Sequence, residues 1–167
     1  GKPGIFLAFD RKVMLGCRAV KVRASGFSAF ESVNARYAGL VSNNGLVIDD
    51  QALPHTDGPA QLCPQISKNV FLLKLTPGLN PAVFDMLAAM GYRGIVIEAF
   101  GLGGINVLHK GLRGIHRAVE DGISVVVTTQ CLYDSSDLRV YQVGNKLLEL
   151  GVIQGRDMTS EAAMTKL

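Results

Sequence analysis

Three short apolar runs, Val70 to Leu75, Gly94 to Phe100 and Ile123 to Val127, alternate with stretches in which apolar residues recur at helical spacing. An apolar run of this length has no polar side to offer water, so it fits a strand covered on both faces. The connecting stretches are too long for hairpins and are the right length for one crossover helix each. Strand–helix–strand–helix–strand–helix with short connections restricts residues 67–167 to a parallel sheet with helices on both faces. Right-handed crossovers follow.

Local signals agree with that pattern. Asn80 is placed to cap a helix whose first position is Pro81, Val83, Phe84, Met86, Leu87 and Met90 give it an apolar face, and Gly91 ends it. A helix is predicted over 111–121, with Ile115, Ala118 and Val119 on one face. Another is predicted over 139–150, carrying Val140, Val143, Leu147, Leu148 and Leu150 and closed by Gly151. Asp157 or Thr159 caps a final helix. The fold class is therefore α/β, a small parallel sheet of flavodoxin- or Rossmann-like type flanked by helices.

The first third reads differently. Ile5 to Phe9 is a strand, Asp10-Arg11-Lys12 a turn and Val13 to Leu15 the returning strand of a hairpin, with Ala19 to Val22 a β-prone continuation. Residues 31–66 lose periodicity and gather turn formers, among them Ser42-Asn43-Asn44-Gly45, Pro54, Asp57-Gly58-Pro59 and Pro64. A small hairpin fits around Asn44-Gly45, and the irregular remainder of 35–66 reads as an inter-domain linker. The opening Gly1-Lys2-Pro3-Gly4, without an initiator Met, reads as cut from something longer.

Composition excludes several classes. With 48% hydrophobic residues and a mean hydropathy of +0.25 the chain can bury a core and is not expected to be disordered. The net charge of +3 is spread out, and the one tight basic group, Arg18, Lys21 and Arg23, has no stacking aromatics beside it, so no nucleic-acid partner is expected. Cys17, Cys63 and Cys131 form no CxxC pair and share no ligand spacing with His55, His109 or His116, so no metal site is expected and reduced thiols are the simplest reading. Without a long apolar run or a signal peptide, a soluble cytoplasmic protein is expected rather than a membrane protein.

Candidate chemistry is sparse. The turn Gly101-Leu102-Gly103-Gly104 follows a strand as a phosphate loop does, but position 106 is Asn106 and no P-loop Lys follows, so a tight turn at the carboxyl edge of the sheet is the plainer reading. Such an edge still places Gly101, Gly103 and Gly104 where a small ligand would sit. Cys131 ends the polar run Thr128-Thr129-Gln130, and with no His nearby a buried, unreactive thiol is expected. Thr128, Thr129 and Ser160 lack an identifiable base. Lys21, between Val20 and Val22, is expected to face water.

Several phrases together resemble a known family: Arg18-Ala19-Val20-Lys21-Val22, Ala29-Phe30-Glu31-Ser32-Val33-Asn34, Leu73-Lys74-Leu75-Thr76-Pro77-Gly78, Gly91-Tyr92-Arg93-Gly94-Ile95-Val96, Thr129-Gln130-Cys131-Leu132 and Gly155-Arg156-Asp157-Met158-Thr159. In this order they are similar to the L-asparaginases, specifically the cytoplasmic type I branch. The amidase subunit of archaeal glutamyl-tRNA amidotransferase looks similar in the same blocks. The resemblance implies that residues 1–34 end an N-terminal catalytic domain whose hairpin precedes the sheet, that 35–66 link, and that 67–167 form a C-terminal domain. It implies hydrolysis of L-asparagine to aspartate and ammonia through a threonine nucleophile, with no metal or organic cofactor, in a homo-oligomer (dimer or tetramer). Lys21 falls on the family's catalytic lysine, while neither the Thr-Gly-Gly-Thr-type loop nor the Thr-Asp motif expected ahead of it precedes Lys21 here. Residues 1–167 alone are therefore expected to be inactive. Relatives often carry Asn where this chain has Gly104. The alternatives are the amidotransferase subunit, or a non-catalytic domain for small-molecule binding or assembly that holds an effector at the glycine turn and Cys131.

Overall fold

A computed structural model describes residues 2–55, 58, 59, 61–105 and 109–167. Asp57 of the expected turn and Asn106 beyond the glycine turn lie outside the described residues. The chain divides into two units, Gly1–Gln65 and Ile66–Leu167.

In the first unit, strands β1 (Phe6–Phe9) and β2 (Lys12–Leu15) form the expected hairpin. Its two turn residues, Asp10 and Arg11, both take positive φ, at 48° and 61°, which matches the twist of a two-residue connection. Strands β3 (Ala19–Lys21) and β4 (Phe30–Ser32) make a separate antiparallel ribbon. Strands β5 (Gly39–Ser42) and β6 (Gly45–Ile48) are the Asn-Gly hairpin.

That second hairpin is the one expected around Asn44-Gly45, within 35–66. Strand β5 pairs with β2 through Lys12–Leu40 and Val13–Gly39, which produces one sheet of order β1-β2-β5-β6. Sequence periodicity misses this because Leu40, Val41, Leu46 and Val47 all stay exposed, so neither face of the hairpin alternates. Few apolar side chains of this unit are buried: Met14, Ala29, Val33 and Ala38 among the described residues. Backbone pairing, more than a core of its own, organises it.

The second unit is the expected parallel sheet. Strands β7 (Val70–Lys74), β8 (Gly94–Ala99), β9 (Ser124–Thr129) and β10 (Ile153–Gln154) lie in the order β10-β9-β8-β7, and every pairing is parallel. Between them run α1 (Ala82–Ala89), α2 (His109–Glu120) and α3 (Gln142–Glu149), and α4 (Ser160–Lys166) follows. Each strand neighbours the next in sequence, so three crossovers of one hand put α1, α2 and α3 on one face. Ile95, Ile97, Val125 and Val127 point to that face and pack with Phe84, Leu87, Ile115, Ala118 and Leu147. Val96 and Val126 point the other way, against Ala163, Met164 and Leu167 of α4 and its end. A Cβ at Gly94 would lie 2.7 Å from the Leu167 side chain, so the missing side chain lets the end of α4 lie down on the start of β8.

The segment expected to be one helix over 139–150 is broken. Asp137 accepts a hydrogen bond from the Arg139 amide and caps a 3-10 turn, Leu138–Val140, Tyr141 is extended, and α3 begins at Gln142. Val140 and Val143, expected on the buried face, are exposed as a result. Strand β10 is too short to announce itself in sequence. Of the two candidate caps, Thr159 closes the start of α4, its hydroxyl accepting from the Ala162 amide at 3.1 Å.

Phe84 is fully buried where α1 meets the sheet and α2. Phe84→Ala should cost about 3–5 kcal/mol in denaturant unfolding of this chain. A loss below about 1 kcal/mol would mean that α1 is not part of the cooperative core.

Candidate functional site

The two faces of the second unit's sheet end differently. On the α4 side, apolar Val96 and Val126 give way, two residues on, to Glu98 and Thr128, because alternate strand residues share a face. Ser160, the first residue of α4, meets both. Its hydroxyl donates to Glu98 Oε1 at 2.7 Å and lies 3.3 Å from Thr128 Oγ1. Glu98 Oε2 accepts from Lys74 Nζ at 3.3 Å, across the β7–β8 register pair Lys74–Glu98. Lys74 is largely exposed, so this ion pair contributes at most about 1 kcal/mol.

Gln130 ties the strand ends together. Its backbone amide donates to Ala99 O at 2.9 Å, and its side-chain Nε2 donates to Leu75 O at 2.7 Å and to Glu98 O at 3.0 Å. Both amide hydrogens are used, on carbonyls just past β7 and within β8. A cleft of about 80 Å³ opens beside these groups, lined among others by Glu98, Thr129, Cys131, Thr159, Ser160 and Glu161. Sequence reasoning does not single out Glu98 or Gln130 as site residues. The available signal is a carboxylate and an amide at the ends of otherwise apolar runs.

The glycine turn sits at the same edge and is a tight turn. The amides of Gly103 and Gly104 both donate to Phe100 O, at 3.1 and 2.7 Å, so neither is free to cradle a phosphate. Gly101 and Gly103 take positive φ, and Thr129 Oγ1 donates to Gly101 O. The Asp137 amide donates to Leu102 O at 2.6 Å and anchors the turn to the 3-10 segment. Hydrogen bonds from the Arg139 side chain, and then from its backbone amide, hold the Asp137 carboxyl below the usual carboxylate range. Strand order does not reverse within this sheet, so the edge lacks the switch-point crevice of doubly wound sheets.

Cys131 is exposed, contrary to the buried thiol expected, because the chain leaves the sheet at Thr129 and turns outward. Its amide donates to Thr129 Oγ1 at 3.1 Å. No histidine among the described residues lines the cleft beside it, and the acceptor oxygens of Glu98 are engaged by Ser160 and Lys74, so the described residues assemble no activated nucleophile there. Among the described residues, no three His, Cys, Asp or Glu side chains gather to hold a metal.

Lys21 belongs to the first unit. It ends β3 opposite Phe30 of β4, is exposed as its neighbours predict, and holds its ammonium 5.9 Å from the Phe30 ring centroid. The adjacent acid, Glu31, is taken by Arg23 at 2.9 Å.

Residues 69–167 match the family model described as "Glutaminase/Asparaginase C-terminal domain", and residues 1–54 match "Asparaginase, N-terminal". The chain is 39% identical to an L-asparaginase of Thermococcus kodakarensis over all of its length and 50% of the relative's. It is also 39% identical to a subunit of the glutamyl-tRNA(Gln) amidotransferase of Methanopyrus kandleri, over 91% of this chain and 34% of that one. Among solved structures, the thermostable L-asparaginase from Thermococcus kodakarensis superposes with a TM-score of 0.88 at 38% identity, covering 98% of this chain and 49% of that one. L-asparaginase I from Vibrio cholerae gives 0.86 at 29% identity, covering 97% and 49%. The chain thus spans half or less of the length of these relatives.

Gln130→Ala leaves the Leu75 and Glu98 carbonyls without their side-chain donor and should destabilise the second unit by about 1–3 kcal/mol in denaturant unfolding. An unchanged midpoint would remove Gln130 as the tie between strand ends.

Proposed function

This chain belongs to the glutaminase/asparaginase family, and from that premise we propose that it forms part of an enzyme hydrolysing L-asparagine to L-aspartate and ammonia. The observation that carries this reading is the 39% match to an L-asparaginase along the whole chain, through both units. A second reading, the amidase subunit of a tRNA-dependent amidotransferase, draws on one relative of equal identity, but its match leaves part of this chain uncovered. A non-catalytic binding or assembly role is the weakest of the three, because it gives Lys21 no task.

In the favoured reading residues up to 54 close an N-terminal domain and 69–167 form the C-terminal one. The sheet of the first unit supports the longer first segment, since β5 and β6 pair onto β2. Catalysis takes two steps. A threonine hydroxyl outside residues 1–167 attacks the side-chain amide carbon of asparagine and ammonia leaves. Water then attacks the acyl-enzyme, aspartate leaves and the hydroxyl is restored. Lys21 serves proton transfer at that hydroxyl. Its exposed ammonium contacts Phe30 and forms no ion pair with a described acid, which leaves it available to groups supplied from elsewhere. Neither step calls for a metal or an organic cofactor.

The same reading gives Gly101, Gly103, Gly104 and Cys131 a contact role for substrate or effector at the carboxyl edge; the cleft supports it for Cys131, which lines it, and not for the three glycines, which do not. It also makes the protein a homo-oligomer, and exposed Leu102, Tyr133, Val140 and Tyr141 support an apolar contact in the second unit. No helix among the described residues is long and apolar enough to cross a membrane. A cytoplasmic setting is supported by three free, exposed thiols.

Purified residues 1–167 should release no ammonia from L-asparagine, whereas the longest protein encoded by the gene should. Activity in the shorter polypeptide, or none in the longer, sinks the reading. In an active longer protein, Lys21→Met should lower kcat about 10²–10⁴-fold with unchanged circular dichroism. A rate within about twofold of the parent would remove Lys21 from the proton-transfer group.

A further inference from the structure

Helices α1 and α2 lie unusually close. A Cβ on Gly114 would stand 2.9 Å from Phe84 Cδ2 and 3.2 Å from Pro81 O, so only a glycine lets α2 rest against the first turn of α1. The neighbouring Arg113 and Arg117, one helical turn apart, then flank that first turn. Together with Asn80, Pro81, Ala82 and Asp85 they line an open cleft of about 290 Å³.

The two arginines are not equivalent. Arg117 is clamped by Asp85, with Nε donating to Oδ1 at 3.1 Å and Nη2 donating to both carboxylate oxygens at 2.8 Å. That grip leaves the Nη1 hydrogens of Arg117 uncommitted to Asp85 and fixes the plane of its guanidinium. Arg113 is exposed and makes no hydrogen bond or ion pair with another described residue. Like charges at i and i+4 on a helix are unfavourable, and a single carboxylate compensates only one of this pair. The first-turn amide of Ala82 is already satisfied by Asn80 Oδ1 at 3.0 Å, so the helix end adds no free donor there and the guanidinium groups carry the cleft's positive charge.

We propose that this cleft binds a small oxyanion, the carboxylate or phosphate head group of a small molecule, which the Arg113 guanidinium grips by its fork while Nη1 of the pre-oriented Arg117 adds a second donor. Guanidinium geometry suits both head groups, and the cleft has room for a small metabolite. The site lies between α1 and α2, with none of its lining at the strand-end cleft, and is independent of the asparaginase reading.

The test uses the full chain and two probes, inorganic phosphate and succinate, each titrated at constant ionic strength against sodium chloride and followed by amide chemical shifts and thermal midpoint. Saturable binding by at least one probe is expected, with shifts confined to residues 80–85 and 113–117. Binding should weaken about tenfold or more in Arg113→Ala, partially in Arg113→Lys, and not at all in Arg139→Ala, whose arginine lies outside the cleft. The tighter probe identifies the head group. Because Arg113 is exposed, its loss should leave the fold intact, which the thermal midpoint without probe checks. Absence of saturation by both probes, or an unchanged affinity in Arg113→Ala, overturns the proposal.

Discussion

Burial of β8 and β9 on both faces is the constraint from which the second unit follows. Ile95, Ile97, Val125 and Val127 require cover on one side, and Val96 and Val126 on the other. Three crossovers of one hand can supply only the first side when strands follow one another in order. Helix α4 is therefore needed to close the second side, and the missing side chain at Gly94 leaves room for Leu167 there.

The polar edge is a by-product of the same alternation. Where the strands emerge from under α4, the inward positions that held valine hold Glu98 and Thr128 instead, and α4 meets them with Ser160 rather than with an apolar residue. Gln130 then donates to the Leu75 carbonyl and adds a second donor to the Glu98 carbonyl, which already accepts from the Leu75 amide. The outcome is a hydrogen-bonded polar rim. Such a rim suits recognition or contact better than covalent chemistry.

The first unit shows the opposite balance. Its strands pair well, yet four buried apolar residues are few for its length, and Leu40, Val41, Leu46 and Val47 remain in water. Under the proposed reading, the rest of an N-terminal domain would complete such a sheet. Family matches that run through it to residue 54 while spanning about half of the relatives' length accord with that view.

The sequence by itself determined the α/β class, the strands at 70–74, 94–99 and 124–129, the Asn80 cap and the family, because these rest on local periodicity and on short ordered phrases. It also marked Lys21 as a water-facing residue. Tertiary structure alone decided the rest, since each missed feature depends on partners distant in sequence. Strand β5 joined β2 by backbone bonds that leave no side-chain pattern. The helix expected from 139 broke because Asp137 capped a turn anchored to Leu102. Cys131 became exposed because the chain turned away after Thr129. Arg113 and Arg117 came to face one cleft because Gly114 let two helices touch, a proximity that no local pattern encodes.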